Sequence, residues 1–193
     1  MRIFTLVLLI ALTACTGQKD MIGTLPQLTF AQLQPLPIDA ERVEISTAVP
    51  DQEGTNPIAH TTIAKSFETY AKQRFVGMGG PGAGTLSITV NETRISRGTE
   101  NTDNKFTAWT QLDKSDDYKA AIKVTFRYDS ADRSVFKNAV LQQERGLTIP
   151  QRTSLAERQK MEQQLIENLI ADFDKQAVPA MQNQLNILAA GAR

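Results

Sequence analysis

Few residues in this chain of 193 have the type and spacing to do chemistry. There is one thiol, Cys15, and one imidazole, His60. A thiol can attack, oxidise, bind metal or carry an acyl or alkyl group, depending on its setting. His60 stands at the edge of a helical apolar face, where work as a base or ligand needs partners that the sequence does not show. With no cysteine after Cys15, a structural zinc site of the usual Cys/His kind is excluded. A Ser-His-Asp triad has to use His60, and no G-x-S-x-G elbow presents a serine. The glycines from Gly77 to Gly84 superficially resemble a phosphate loop, but they follow a helix and precede a strand, and no G-K-[ST] comes after them. A helix C-cap with a flexible connection fits them better. Oxygen-rich stretches at 100–104 and 113–117 could hold calcium only loosely, the second lacking the glycine and distal glutamate of an EF-hand loop. Asn91-Glu92-Thr93 matches a glycosylation sequon but lies near a strand. Asp172 and Asp174 project from different sides of a helix, as exposed charges do.

Cys15 is the exception because of what precedes it. Arg2 is followed by an apolar run from Ile3 to Leu12, too short to span a bilayer as a helix but fitted to the apolar core of a secretory signal. Leu12, Thr13, Ala14 and Cys15 then resemble the lipobox of bacterial lipoproteins: an aliphatic residue, two small ones and the cysteine. The resemblance implies cleavage before Cys15, a diacylglycerol on its sulfur and an acyl chain on the new amine. The alternative is an ordinary signal with a chance cysteine. A lone thiol in an exported chain has no internal disulfide partner, and lipidation accounts for it. Such an anchor holds stably, since two acyl chains already suffice. Thr16 and Gly17 stand where an enteric inner-membrane signal would have aspartate, so the expectation is the periplasmic face of the outer membrane, with the inner membrane second.

The composition is otherwise plain. The sequence has 21 basic and 21 acidic residues, and removing residues 1–14 takes away Arg2 alone, leaving a formal balance of −1. A neutral surface gives no electrostatic reason to expect nucleic acid as partner. Hydrophobic content of 41% supplies an ordinary core, and roughly 180 residues after the signal suit one domain. The expected division is a signal at 1–14, a lipidated terminus and entry segment at 15–40, and one periplasmic domain at 41–193. No cofactor or metal is expected beyond the covalent lipid.

The elements that position these residues follow from periodicity. Pro26, Pro35 and Pro37 block a helix before residue 40, yet Leu25, Leu28, Phe30, Leu33, Leu36 and Ile38 are too apolar for a solvated linker, so some should pack on the domain or a partner. Val43 to Ile45 reads as a short strand, ended by the loop Pro50 to Gly54. Asn56-Pro57 starts a helix, and Ala59, Ile63, Phe67, Tyr70 and Ala71 give it one buried face to about residue 75. Leu86, Ile88 and Val90 alternate as a strand, with Ile95 out of phase, predicting a bulge or the strand's end. After a polar connection, Phe106 to Trp109 suggest another short strand. Tyr118 to Tyr128 alternate without a break, 129–133 turn, and Val135 to about Ile149 return as a hairpin. Ser154 and Glu157 form a capping box before a long helix marked by Leu165, Leu169, Phe173 and Ala177, which Pro179 must kink. Met181, Leu185 and Leu188 extend its stripe. The order predicts an α+β two-layer sandwich, an antiparallel sheet of three to five strands against two main helices.

Leu28 to Ile45, Asn56 to His60, Tyr118, Thr148-Ile149-Pro150 and Ser154 to Arg158 together resemble uncharacterised lipoproteins of alphaproteobacteria. That resemblance implies no activity. A looser similarity, in element order alone, is to auxiliary lipoproteins of lipid-transport systems, the partners of MCE-type transporters and of the lipopolysaccharide translocon, which bind other envelope proteins. Three roles stay open. The leading one is a non-enzymatic adaptor docking on an envelope transport or assembly complex, through an exposed sheet edge or the stripe around Phe173, Met181 and Leu185. The second is a lipid or small-ligand carrier with an apolar cleft between helices and sheet. The third is an envelope hydrolase using carboxylates such as Asp116 or Glu92.

Overall fold

The computed structural model describes residues 28, 30, 32–48, 57–99 and 115–189, with side chains at 57–61 and 99 outside that description. Six strands and two helices run in the order β1 (Leu36–Ile38), β2 (Arg42–Thr47), α1 (Pro57–Arg74), β3 (Phe75–Gly77), β4 (Thr85–Thr99), β5 (Ser115–Asp129), β6 (Phe136–Pro150) and α2 (Leu155–Pro179). The fold class is α+β. The main sheet has the order β2-β4-β5-β6, and β1 pairs with β3 in a separate two-stranded sheet.

The main sheet is mixed where an antiparallel one was expected: β4, β5 and β6 are antiparallel, but β2 lies parallel to β4. The cause is the connection. Helix α1 carries the chain back along the sheet before it re-enters as β4, so the two strands point the same way.

Alternation sets which face is buried. Leu86, Ile88 and Val90 of β4 and Ala120, Ile122, Val124 and Phe126 of β5 face the helices. Between Val90 and Glu92 the register shifts by one residue, the bulge that Ile95 betrayed. Beyond it Thr93 and Ile95 take the inward positions opposite Ile122 and Ala120. The extra residue, Asn91, accepts a hydrogen bond of 2.6 Å from the Thr125 hydroxyl.

The long helix starts as its sequence dictates, Ser154 Oγ accepting from the Glu157 amide at 3.3 Å. Pro179 ends the regular α-helix, and the chain continues as one wider π-type turn, Ala180–Leu185. Proline brings no amide, and the Ala180 amide after it is shared between the carbonyls of Gln176 and Ala177. Asn186, at φ 49°, closes the turn in the left-handed region.

Two features were not foreseen. The proline-spaced entry segment forms strand β1, because Pro37 keeps a carbonyl that accepts from Ala189 while Ile38 bridges Leu188. Leu28, Phe30, Leu36 and Ile38 pack on the domain as their apolar character predicts, with Ala40 buried beside them. The glycine run is not a helix cap with a loose connection either, since β3 follows the helix directly and ends in the first of these glycines, Gly77. A Cβ on Gly79 would meet the Ala40 backbone at 2.8 Å, and one on Gly84, whose φ is +96°, would meet the Asp129 carbonyl oxygen at 2.4 Å. We expect Gly84→Ala to destabilise the fold by about 1–3 kcal/mol through backbone strain and that contact. Urea unfolding of the two proteins measures the difference.

Candidate functional site

Leu12, Thr13, Ala14 and Cys15 lie outside the described residues, as do Asn56, the loop at 50–54, the stretch at 100–104 and the segment from Phe106 to Trp109. His60 falls in α1, its side chain outside the description. The sites that can be built from residues upward are therefore the apolar stripe, the carboxylates and the sheet edges.

The stripe is core. Phe173, Met181 and Leu185 each have no exposed surface, which corrects their assignment as a docking face. Phe173 packs edge-on against Phe67 of α1, centroids 5.2 Å apart, and stacks on Phe126 of β5 at 6.1 Å. Phe75 of β3 lies 5.6 Å from Phe126 and 5.7 Å from Tyr70, which is 5.4 Å from Phe67. The five rings form a closed circuit through both helices and both sheets. It fills the space where a carrier's cleft would open between helix layer and sheet. Met181 and Leu185 continue the burial past Pro179 because the π-type turn keeps them facing the sheet.

The two carboxylates offered for hydrolysis do not meet. Through the strand register Glu92 lies opposite Lys123 and Asp116 opposite Thr99, seven positions along β4, or roughly 23 Å at the rise of an extended strand. Asp116 is fully buried and its charge is answered. Its Oδ2 accepts from Arg158 Nη1 at 2.8 Å and Arg97 Nη2 at 2.6 Å, and its Oδ1 from Gln151 Nε2 at 3.2 Å. Arg158 Nη1 also donates to the Tyr118 hydroxyl at 3.0 Å. Hydrogen bonds from Arg158 and then Arg97 outweigh desolvation and bring the Asp116 carboxyl down to about 2. A carboxylate so held cannot act as a general acid near neutral pH. Its work is to fasten the first turns of α2 to the far end of β4 and β5.

Asp172 and Asp174 do project from different sides of α2, but each pins a different element instead of standing in solvent. Asp174 Oδ1 accepts from the Tyr70 hydroxyl at 2.6 Å and from Arg74 Nε at 2.8 Å, tying α2 to α1. Burial, then the Asp174 charge, pushes the Tyr70 hydroxyl far above its ordinary pKa. Asp172 accepts from Lys175 and from Arg145 of β6, and these two cations lower its pKa. Asp117 of the second oxygen-rich stretch accepts from Thr148 on β6 at 2.6 Å. Among the described residues no group of three or more metal-ligating side chains occurs. No helix among them is long and apolar enough to cross a membrane.

Among the described residues the main sheet has two outer edges, β2 on one side and β6 on the other. Among the described residues β6 pairs on one side only, with β5. Its outward row includes Phe136 and Val140, exposed by 59% and 50%. This strand of fifteen residues has no second strand partner among the described residues, and another extended segment can pair along such an edge.

No protein-family model matches the chain, and no curated protein matches it. Overlaps with solved structures include rare lipoprotein B from Shewanella oneidensis, at 14% identity, 75% of this chain, 98% of that chain and a TM-score of 0.38. A minor lipoprotein from Acinetobacter baumannii overlaps at 14% identity, 74% of this chain, 93% of that chain and a TM-score of 0.34. A homolog of neuraminyllactose-binding hemagglutinin from Helicobacter pylori does so at 9% identity, 74% of this chain, 88% of that chain and a TM-score of 0.39. At TM-scores this low the overlaps carry no argument, and the reading of this chain rests on its own residues.

Two measurements check the assignments above. Phe173→Ala should cost about 3–5 kcal/mol of stability, as an emptied aromatic core site does, where loss of a surface contact would leave the urea midpoint in place. For Asp116 the folded-state value lies below the ordinary 3.8. Its stabilisation is therefore complete above about pH 4 and is lost as pH falls towards 2. Asp116→Asn should lower stability at neutral pH and flatten that acid limb, read from urea midpoints across the range.

Proposed function

We propose that this chain is a lipid-anchored periplasmic protein acting as a non-enzymatic adaptor of an envelope transport or assembly complex. The observation that carries the reading is Leu12-Thr13-Ala14-Cys15, closing an apolar run and supplying the only thiol of the sequence. A sulfur-linked diacylglycerol and an N-acyl chain fix the protein to the periplasmic face of the outer membrane. The body contributes binding. Its buried carboxylates are engaged in pinning elements, and its interlayer space is filled by aromatic rings, which supports an adaptor over a hydrolase or a lipid carrier.

With Phe173, Met181 and Leu185 in the core, docking falls to the sheet edge along β6. An extended segment of the partner adds a strand there, main-chain hydrogen bonds giving affinity and Val140 giving an apolar footing.

Two experiments address the two parts. Cys15→Ser should move the protein from the membrane to the soluble periplasmic fraction, and its retention on membranes would remove the anchor. Val140→Lys should leave the urea midpoint unchanged and lower recovery of a crosslinked envelope protein about tenfold, since ~1.4 kcal/mol at an interface is a factor of ten. Recovery that ignores the substitution, or wild type that captures no envelope protein under mild crosslinking, would contradict docking through this edge.

A further inference from the structure

Resting on the anchored reading above, we infer that one end of the domain lies directly on the bilayer, the exposed apolar side chains of its loops and strand ends entering the lipid interface beside the anchor. Four of the six large apolar side chains exposed among the described residues, Val76, Met78, Val135 and Phe136, belong to this end. Its parts are tied together. The Met78 amide donates to the Ile38 carbonyl, the Glu41 amide to Gly84, and Tyr128 Oη to the Ala83 carbonyl. A Cβ on Gly84 would touch Asp129 and Ser130, the start of the β5–β6 turn. The Ser130 amide donates to Val135, and Phe136 lies opposite Asp129 in the ladder. The loop from Met78 to Gly84 and the tip of the hairpin thus share one end of the sheet. Leu155, exposed by 72%, opens α2 and marks the other end, where Arg158 meets Asp116.

The entry of the chain argues for lipid as the occupant. The Phe30 amide donates to Gln73 Oε1, and Arg74 bonds the Gln34 carbonyl, so the segment reaches the body beside the last turn of α1. That turn runs straight into β3 and the Met78 loop. Twelve residues lie between Cys15 and Leu28, thirteen chain steps that span at most about 45 Å, which keeps this end at high local concentration near the membrane. The charge pattern fits insertion, not electrostatic adsorption. Asp39, Glu41, Asp129 and Asp132 stand among Arg42, Arg127, Arg133 and Lys137, so no basic field draws the end to anionic headgroups. Arg127 lies over the Phe136 ring at 4.8 Å with its guanidinium bonded to Asp129, so its stem can lie along the apolar surface with the charge in water. Side chains placed this way reach about 5–10 Å into the headgroup boundary.

The test uses the full lipidated chain in phosphatidylcholine vesicles, carrying Met78→Cys, Val135→Cys, Phe136→Cys or Leu155→Cys labelled with an environment-sensitive fluorophore. An acylated Cys15 takes no label, so wild type should remain dark. We expect blue-shifted emission at 78, 135 and 136, largely lost when quencher-bearing lipids are included, and water-like, unquenched emission at 155. Protein that floats with the vesicles while all four labels report water overturns this inference and leaves the anchor intact. A blue shift without lipid quenching, as burial against another protein copy would give, overturns it too. Wild type that takes label and fails to float instead overturns the anchored reading on which it rests.

Discussion

The fold is organised by one closed circuit of aromatic rings. Phe67, Tyr70, Phe75, Phe126 and Phe173 come from α1, β3, β5 and α2, and each touches the next edge-on, tilted or stacked at 5.2–6.1 Å. Phe30 joins the circuit at Tyr70, 5.6 Å away, and brings in the entry segment. Each such contact is worth roughly 0.5–1.5 kcal/mol beyond the area it buries. The topology matters more than the sum. No helix can leave the sheet, and β3 cannot leave the helices, without opening the circuit. Ion pairs at the margins, Asp116 with Arg158 and Arg97, Asp174 with Arg74, and Asp172 with Arg145, then fix where each helix lies along the sheet.

That division of labour engages several of the charged groups among the described residues. Asp116, Asp172 and Asp174 are held by cations, and the helical stripe around Phe173, Met181 and Leu185 is the core itself. The outward resources of the described residues include the open outer edge of β6, which pairs with β5 alone, and a set of apolar side chains at the end where the chain enters. Both suit contact with extended or layered partners, a peptide strand or a lipid surface, better than capture of a small molecule.

Periodicity made most of this legible. The unbroken alternation of Tyr118 to Tyr128, the fourfold spacing of Leu165, Leu169, Phe173 and Ala177, and the phase slip at Ile95 are local signals, and each sits where its spacing placed it. The missed features are tertiary. Strand β1 exists because β3 and residues 187–189 flank it, and no window of three residues containing Pro37 announces such neighbours. The parallel placement of β2 follows from a helix crossing over the sheet, not from the strand's own residues. Met181 and Leu185 extend the stripe as their spacing predicts, but the break at Pro179 hides in sequence which way they face, and the π-type turn is what keeps them in the core. For the candidate site, Asp116 was recognisable as unusual only by its position on an apolar face, and Arg97 and Arg158, which determine its state, lie 19 and 42 residues away in sequence.

The central claim is that this packed body is held at a membrane through lipid on one sulfur. The direct measurement is the mass of the amino-terminal peptide from the protein isolated out of its own membranes. The account predicts a chain that begins at Cys15 and carries a thioether-linked diacylglycerol and an amide-linked acyl group, mild alkaline hydrolysis removing only the two ester-linked chains, each lowering the mass by its fatty acid less one water. An amino-terminal peptide that begins elsewhere, or one with Cys15 bearing a free thiol, would contradict it.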